Sequence, residues 1–145
     1  MHTVNDVLGH KGSQVFSIHP EATVLDAALL MNEHQVGAVV VTSGQRVAGI
    51  FTERDVLRRI VARRLDPAQM AVRDAMTQDV ICCRCDVPLE EARTIFRNKR
   101  IRHLPVVDDR GQLKGMISIG DLNAWELNGK EVTIQYLQEY IYGTI

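Results

Sequence analysis

The chain has 145 residues, 46% of them hydrophobic, enough to bury a sizeable core. Its 17 basic and 18 acidic residues leave a formal charge of −1. That balance argues against a dedicated nucleic-acid binder, which needs a basic excess to displace counterions from phosphates. No apolar run approaches the roughly 20 residues that span a bilayer. The polar residues 1–12 lack the apolar centre of a secretory signal, so a reducing cytosol is the expected compartment.

In chain order, the sequence reads as one pattern written twice. A lead-in, residues 4–8 (VNDVL), returns as residues 72–76 (VRDAM). A short strand near residue 15 precedes a helix in which Val24, Ala27 and Met31 stand at i, i+3 and i+7, one helical face. Thr23 is placed to cap that helix. Residues 36–41 (VGAVVV) then predict a strand, Ser43-Gly44-Gln45 a turn, and residues 49–52 a second strand that ends at Thr52. A second helix begins near Asp55. After the second lead-in comes the strand around Cys82, Cys83 and Cys85. The next helix carries Leu89, Ala92 and Phe96 on one face, with Pro88 fitting its first turn. Residues 101–107 (IRHLPVV) predict a strand, residues 108–111 (DDRG) a turn one residue longer than its counterpart, and residues 115–118 a strand ending at Ser118. A helix follows near Asp121. An indel confined to a turn supports the alignment.

These elements predict an α/β (α+β) chain of two β–α–β–β–α units, 1–66 and 67–127, with a C-terminal helical extension over 128–145. A unit of about 50 residues has a thin core, so the two halves are expected to pack about a pseudo-twofold axis into one disk. In the extension, residues 131–142 (EVTIQYLQEYIY) carry a partial apolar stripe of Val132, Ile134, Leu137 and Ile141, suited to this disk or to a second subunit. The second alternative implies a homodimer.

The strand-to-helix corners carry the chemistry. Gly49-Ile-Phe-Thr-Glu-Arg-Asp55 and Gly115-Met-Ile-Ser-Ile-Gly-Asp121 share a glycine, a hydroxyl and an aspartate in register. A carboxylate accepts two hydrogen bonds and so can grip the vicinal hydroxyls of a ribose. Each such charge-assisted bond contributes about 1.5–3 kcal/mol. The same aspartates can instead cap their helices through Thr52-x-x-Asp55 and Ser118-x-x-Asp121. Arg54 precedes Asp55, while Arg102 and His103 open the strand whose neighbour ends at Ser118, within reach of one phosphate. Arg58, Arg59, Arg63, Arg64, Arg97, Lys99 and Arg100 read either as solvated helix faces or as an anion-attracting rim.

With GIFTERDVL at residues 49–57, GMISIGDL at 115–122 and RHLPVVD at 102–108, the chain resembles a pair of CBS domains, the free-standing Bateman module. The resemblance covers residues 4–125. It implies clefts between the units for AMP in the first instance, or ADP, ATP, NAD(H) or S-adenosylmethionine, and a regulatory role toward a partner protein. It also implies two sites. In one, Asp121 holds the ribose, Ser118, Arg102 and His103 the phosphate, with Gly120 in the same turn. The adenine then lies against Ile18, Pro20, Ala22, Val36, Gly37 and Ala38. In the other, Asp55 holds the ribose with Thr52 and Arg54 near the phosphate, and the base faces Cys83, Arg84, Ile101 and Leu104. Gly37 and Ala38 stand where Arg102 and His103 stand in the second unit, so the Asp121 cleft is expected to bind AMP better.

No G-x-S-x-G, Walker loop or HExxH occurs, which points to a sensor and not an enzyme, with no metal ligands assigned. His10, His19 and His34 read as surface or capping residues. Two alternatives stand beside the nucleotide sensor. One is a ligand-free structural or oligomerisation module. The other is a metal or redox protein using Cys82 and Cys85, although no second ligand pair stands at zinc-site spacing and three clustered cysteines make a poor disulfide framework.

Overall fold

The computed structural model describes residues 1–12 and 14–129. It is an α/β fold of two repeats, each with a three-stranded sheet in which a parallel strand leads into a hairpin. In the first, β1 (Ser17–Ile18) pairs parallel with β2 (Ala38–Ser43), which pairs antiparallel with β3 (Arg46–Thr52). In the second, β4 (Cys83–Arg84) pairs parallel with β5 (His103–Val107), which pairs antiparallel with β6 (Leu113–Ser118).

Helix α2 (Val24–His34) begins where Thr23 Oγ1 accepts from Asp26 N at 3.0 Å while Thr23 N donates to Asp26 Oδ2 at 3.2 Å. Two orphan donors are thereby satisfied. Its counterpart α5 (Leu89–Lys99) is preceded by Pro88 as the capping residue, one position before the expected first turn. Both helices end in a left-handed residue, Gln35 and Arg100, each at φ 54°. This reverses the chain into the next strand.

Two short lead-in helices do not stay with the repeat that follows them. Helix α1 (Val4–Lys11) buries Val4, Val7 and Leu8 in the core of the second unit, against Cys83, Phe96, Leu104, Ile117 and Leu122. Helix α4 (Val72–Ala75) buries Val72 and Ala75, with Met76, in the core of the first, against Val24, Met31, Val39 and Phe51. Backbone bonds fix the exchange symmetrically. Val4 N and Asn5 N donate to the carbonyls of Val87 and Cys85 at 2.9 Å, and Val72 N and Arg73 N to those of Ala22 and Pro20 at 2.8 and 3.1 Å. Side chains alternate across a strand. Val39 and Val41 therefore fill the first core, while Ala38 and Val40, equally buried, turn to the opposite face, as do His103 and Pro105 in β5.

Differences between the halves concentrate in the last helices. After β3, α3 (Glu53–Asp55) widens at once into a π-helical stretch, Val56–Val61, whose exit bonds run from Ala62 N to Leu57 O and from Leu65 N to Ile60 O. After β6, α6 (Ile119–Gly129) is an ordinary α-helix of 11 residues. The extension beyond residue 129, with its apolar stripe, lies outside the described residues.

Candidate functional site

Each strand-to-helix corner is closed by its own residues. In the first, Thr52 N donates to Asp55 Oδ2 at 3.0 Å and Asp55 N to Thr52 Oγ1 at 3.3 Å. In the second, Ser118 N donates to Asp121 Oδ2 at 2.7 Å and Asp121 N to Ser118 Oγ at 3.1 Å. Both aspartates therefore cap their helices, and both still border a cleft.

Their surroundings differ. The Asp55 side chain is 10% exposed. Its Oδ2 also accepts from Thr52 Oγ1 at 3.2 Å, and its Oδ1 faces Thr77 Oγ1 at 3.4 Å and Arg59 Nε at 3.5 Å. Arg59 in turn donates to the Met76 carbonyl at 2.9 Å, so this arginine of the basic stretch clamps α4. The Asp121 side chain is 26% exposed, and Lys11 Nζ lies 2.8 Å from its Oδ2.

Beside Asp55 opens a cleft of about 440 Å³ lined by Gly37, Ile50, Thr52, Glu53, Arg54, Thr77, Arg100, Ile101, Arg102 and His103. Three arginines thus border it. Beside Asp121 lies a smaller one of about 230 Å³, lined by Lys11, Val36, Gly37, Ala38, His103, Met116, Ile117 and Ser118. Gly37 and His103 border both, where the halves meet.

Several residues stand apart from the placement the resemblance implies. Arg102 lines the Asp55 cleft, not that of Asp121. It precedes β5, and its carbonyl accepts from Ile119 N at 3.1 Å, just as the Gly37 carbonyl accepts from Glu53 N at 3.1 Å. The same backbone position thus serves each corner, and Arg102 itself lines the opposite cleft. Ile18, Pro20 and Ala22 do not line the Asp121 cleft: Ile18 packs on the first core, and the carbonyls of Pro20 and Ala22 are taken by α4. Gly120 lies in the first turn of α6, outside the lining. Cys83 and Leu104 are buried in the second core, and Arg84 pairs with Asp86 and Asp109, so none of the three lines the Asp55 cleft.

Lys11, Glu53, Thr77 and Arg100 border the clefts without being assigned there from sequence. Lys11 and Thr77 arrive through the exchanged lead-ins, and Arg100 through the left-handed cap that Gln35 mirrors. Glu53 lies over Gly37, where a Cβ would stand 3.5 Å from its carboxylate.

Burial holds the His103 imidazole below its ordinary pKa, with Arg102 and Lys11 acting in the same direction and Asp121 and Glu53 opposing. Neutral His103 carries one ring N–H donor and one ring-nitrogen acceptor. Among the cysteines, burial raises Cys82, and burial followed by the neighbouring Cys82, Cys85 and Glu91 pushes Cys83 up to about 12. Such thiols are poor nucleophiles. Among the described residues no group of three or more His, Cys, Asp or Glu side chains is placed to hold a metal ion. His34 stacks on Phe16, His19 Nδ1 accepts from Glu21 N at 3.0 Å, and His10 lies edge-on to Trp125.

Comparison with known proteins gives a family. The model of the CBS domain matches residues 4–62 and again 72–127. The mitochondrial CBS domain-containing protein CBSX3 of Arabidopsis thaliana is 35% identical over 97% of this chain and 72% of its own length. Among solved structures, a protein with CBS domains from Burkholderia ambifaria MC40-6 superposes with a TM-score of 0.85 at 34% identity, covering 92% of this chain and 99% of that one. A CBS domain protein of Pyrobaculum aerophilum complexed with AMP superposes with a TM-score of 0.76 at 28% identity, over 83% and 89% of the two chains.

Proposed function

Because this chain belongs to the CBS-domain family, we propose that it binds an adenine nucleotide, AMP foremost, between its two repeats and signals occupancy to a partner protein without catalysing a reaction. The observation that carries this reading is the 440 Å³ cleft in which Arg54, Arg100 and Arg102 converge beside Asp55 and Thr52. Three guanidinium groups supply planar, permanently charged donors for a phosphate. Ile50 and Ile101 offer apolar walls for the base, and Asp55 Oδ1, whose contacts are 3.4 Å and longer, is the acceptor open to a ribose hydroxyl. The AMP-bound relative from Pyrobaculum supports the choice of ligand. This reading favours the Asp55 cleft, reversing the preference drawn from sequence. Calorimetric titration with AMP tests it, with adenosine as the comparison. Saturable binding of AMP, stronger than that of adenosine, is expected, and failure of both to bind would sink the reading. ADP, ATP, NAD(H) and S-adenosylmethionine are ranked in the same assay.

His103 gives this site a pH dependence. Its imidazole is deprotonated in the free protein because burial lowers its pKa, and a phosphate dianion at the cleft raises that pKa. Binding then takes up a proton, so affinity increases as pH falls through the window between the two values. AMP should bind more tightly at about pH 6 than at about pH 8, with proton uptake visible in buffers of different ionisation enthalpy. His103→Gln should reduce the uptake to what the phosphate itself contributes; unchanged uptake would remove His103 from the site.

For the partner surface, Leu57 and Val61 on the π-helical stretch are 61% and 60% exposed, and Leu25 and Leu29 of α2 are exposed as well. The matching positions of the second repeat are Glu90, Thr94, Asn123 and Leu127. A patch that is wholly apolar in one repeat and mostly polar in the other suits isologous pairing of first repeats in a homodimer. Leu57→Glu combined with Val61→Glu is expected to convert a sedimenting dimer to monomer, and an unchanged sedimentation coefficient would contradict that pairing. Among the described residues no helix is long and apolar enough to cross a membrane. A cytosolic location is proposed with the rest.

A further inference from the structure

The two clefts carry unequal guards. At Asp55 the segment just after the lead-in helix contributes Thr77, and the paired cation, Arg59, sits one turn after Asp55 and is tied to the carbonyls of Ala75 and Met76. At Asp121 the lead-in helix contributes a cation that enters the cleft itself. Lys11 Nζ donates to Asp121 Oδ2 at 2.8 Å and to the Met116 carbonyl at 2.7 Å, with its side chain 30% exposed. The helix that delivers it cannot drift, because Val4, Val7 and Leu8 are buried in the second core.

We infer that Lys11 closes the Asp121 cleft, so that each chain takes one nucleotide, in the Asp55 cleft. The inference rests on the nucleotide-binding reading above. A ribose diol that sought Asp121 would have to displace an ammonium already bonded to the carboxylate and to a neighbouring carbonyl. It would also have to enter a space about half the volume of the other cleft. Gly37, which stands where Arg102 stands in the second repeat, offers no side chain to hold the phosphate there in compensation. Lys11 is therefore a selectivity-determining residue that decides occupancy between two sites with the same backbone plan.

Calorimetric titration with AMP reads the stoichiometry directly. One tight equivalent is expected for the wild-type chain and two for Lys11→Ala, the Asp121 site gaining up to about tenfold in affinity, since a part-exposed ion pair is worth at most about that factor. Lys11→Met, which keeps the aliphatic stem, should also take two. Lys11→Arg, which keeps a cation on the carboxylate, should take one, and Lys11→Ala with Asp121→Asn should return to one. Two equivalents on the wild-type chain, one on both Lys11→Ala and Lys11→Met, or weaker binding in those variants would overturn the inference and leave nucleotide binding standing. No AMP bound by the wild-type chain or by any variant would instead overturn the reading on which it rests.

Discussion

Asp55→Ala is expected to lower the free energy of unfolding by about 2–4 kcal/mol, roughly twice the loss from Asp121→Ala. Asp55 is buried, and removing it strips Thr52 N of its capping acceptor and leaves the hydroxyls of Thr52 and Thr77 and the guanidinium of Arg59 without their shared partner. A cap alone is worth about 1 kcal/mol, and each buried group left unsatisfied adds about 1–3 kcal/mol. Asp121 loses one cap and one part-exposed ion pair, and the latter contributes about 0–1 kcal/mol. Urea unfolding of the two variants reads the difference. Equal losses would mean that the inward turn of Asp55 carries no energetic weight.

Arg102→Ala is expected to weaken AMP binding roughly tenfold or more while changing adenosine binding by less than about twofold. Its side chain is exposed and borders the Asp55 cleft, so its removal takes a phosphate donor and little packing. Stability should change little, as for most surface substitutions. If AMP and adenosine weakened together, Arg102 would be shaping the cleft and not holding the phosphate. If neither changed, the phosphate would lie elsewhere.

Most of the architecture was legible in the residues. The apolar triplets of α2 and α5, the turn indel between the hairpins and the doubled glycine–hydroxyl–aspartate corners all fall where the periodicity places them, because each is a local pattern read by local rules. The exchange of α1 and α4 was not legible. The two lead-ins were visible as repeats, but a helix of four to eight residues can close either core, and only tertiary packing selects between them. Lys11 and Thr77 follow from that exchange and were hidden with it. The place of Arg102 departs from what the resemblance implies for a related reason. Sequence locates it at the mouth of β5, but which side of the pseudo-twofold seam its side chain crosses depends on how the halves dock. Gly37 and Arg102 have matching backbone roles at the two corners. The widening of the helix after Asp55 has no sequence signal that separates it from α6. The pattern Val56, Ile60 suits an ordinary helix, and the shift to bonds spanning five residues arises where Arg59 reaches the α4 carbonyls.

A crystal structure of this chain with AMP bears most directly on the central proposition. The ribose should lie within hydrogen-bonding distance of Asp55, the phosphate among Arg54, Arg100 and Arg102, and the Lys11 to Asp121 contact should stay intact. A nucleotide found only beside Asp121, or bound away from the seam between the repeats, would contradict it.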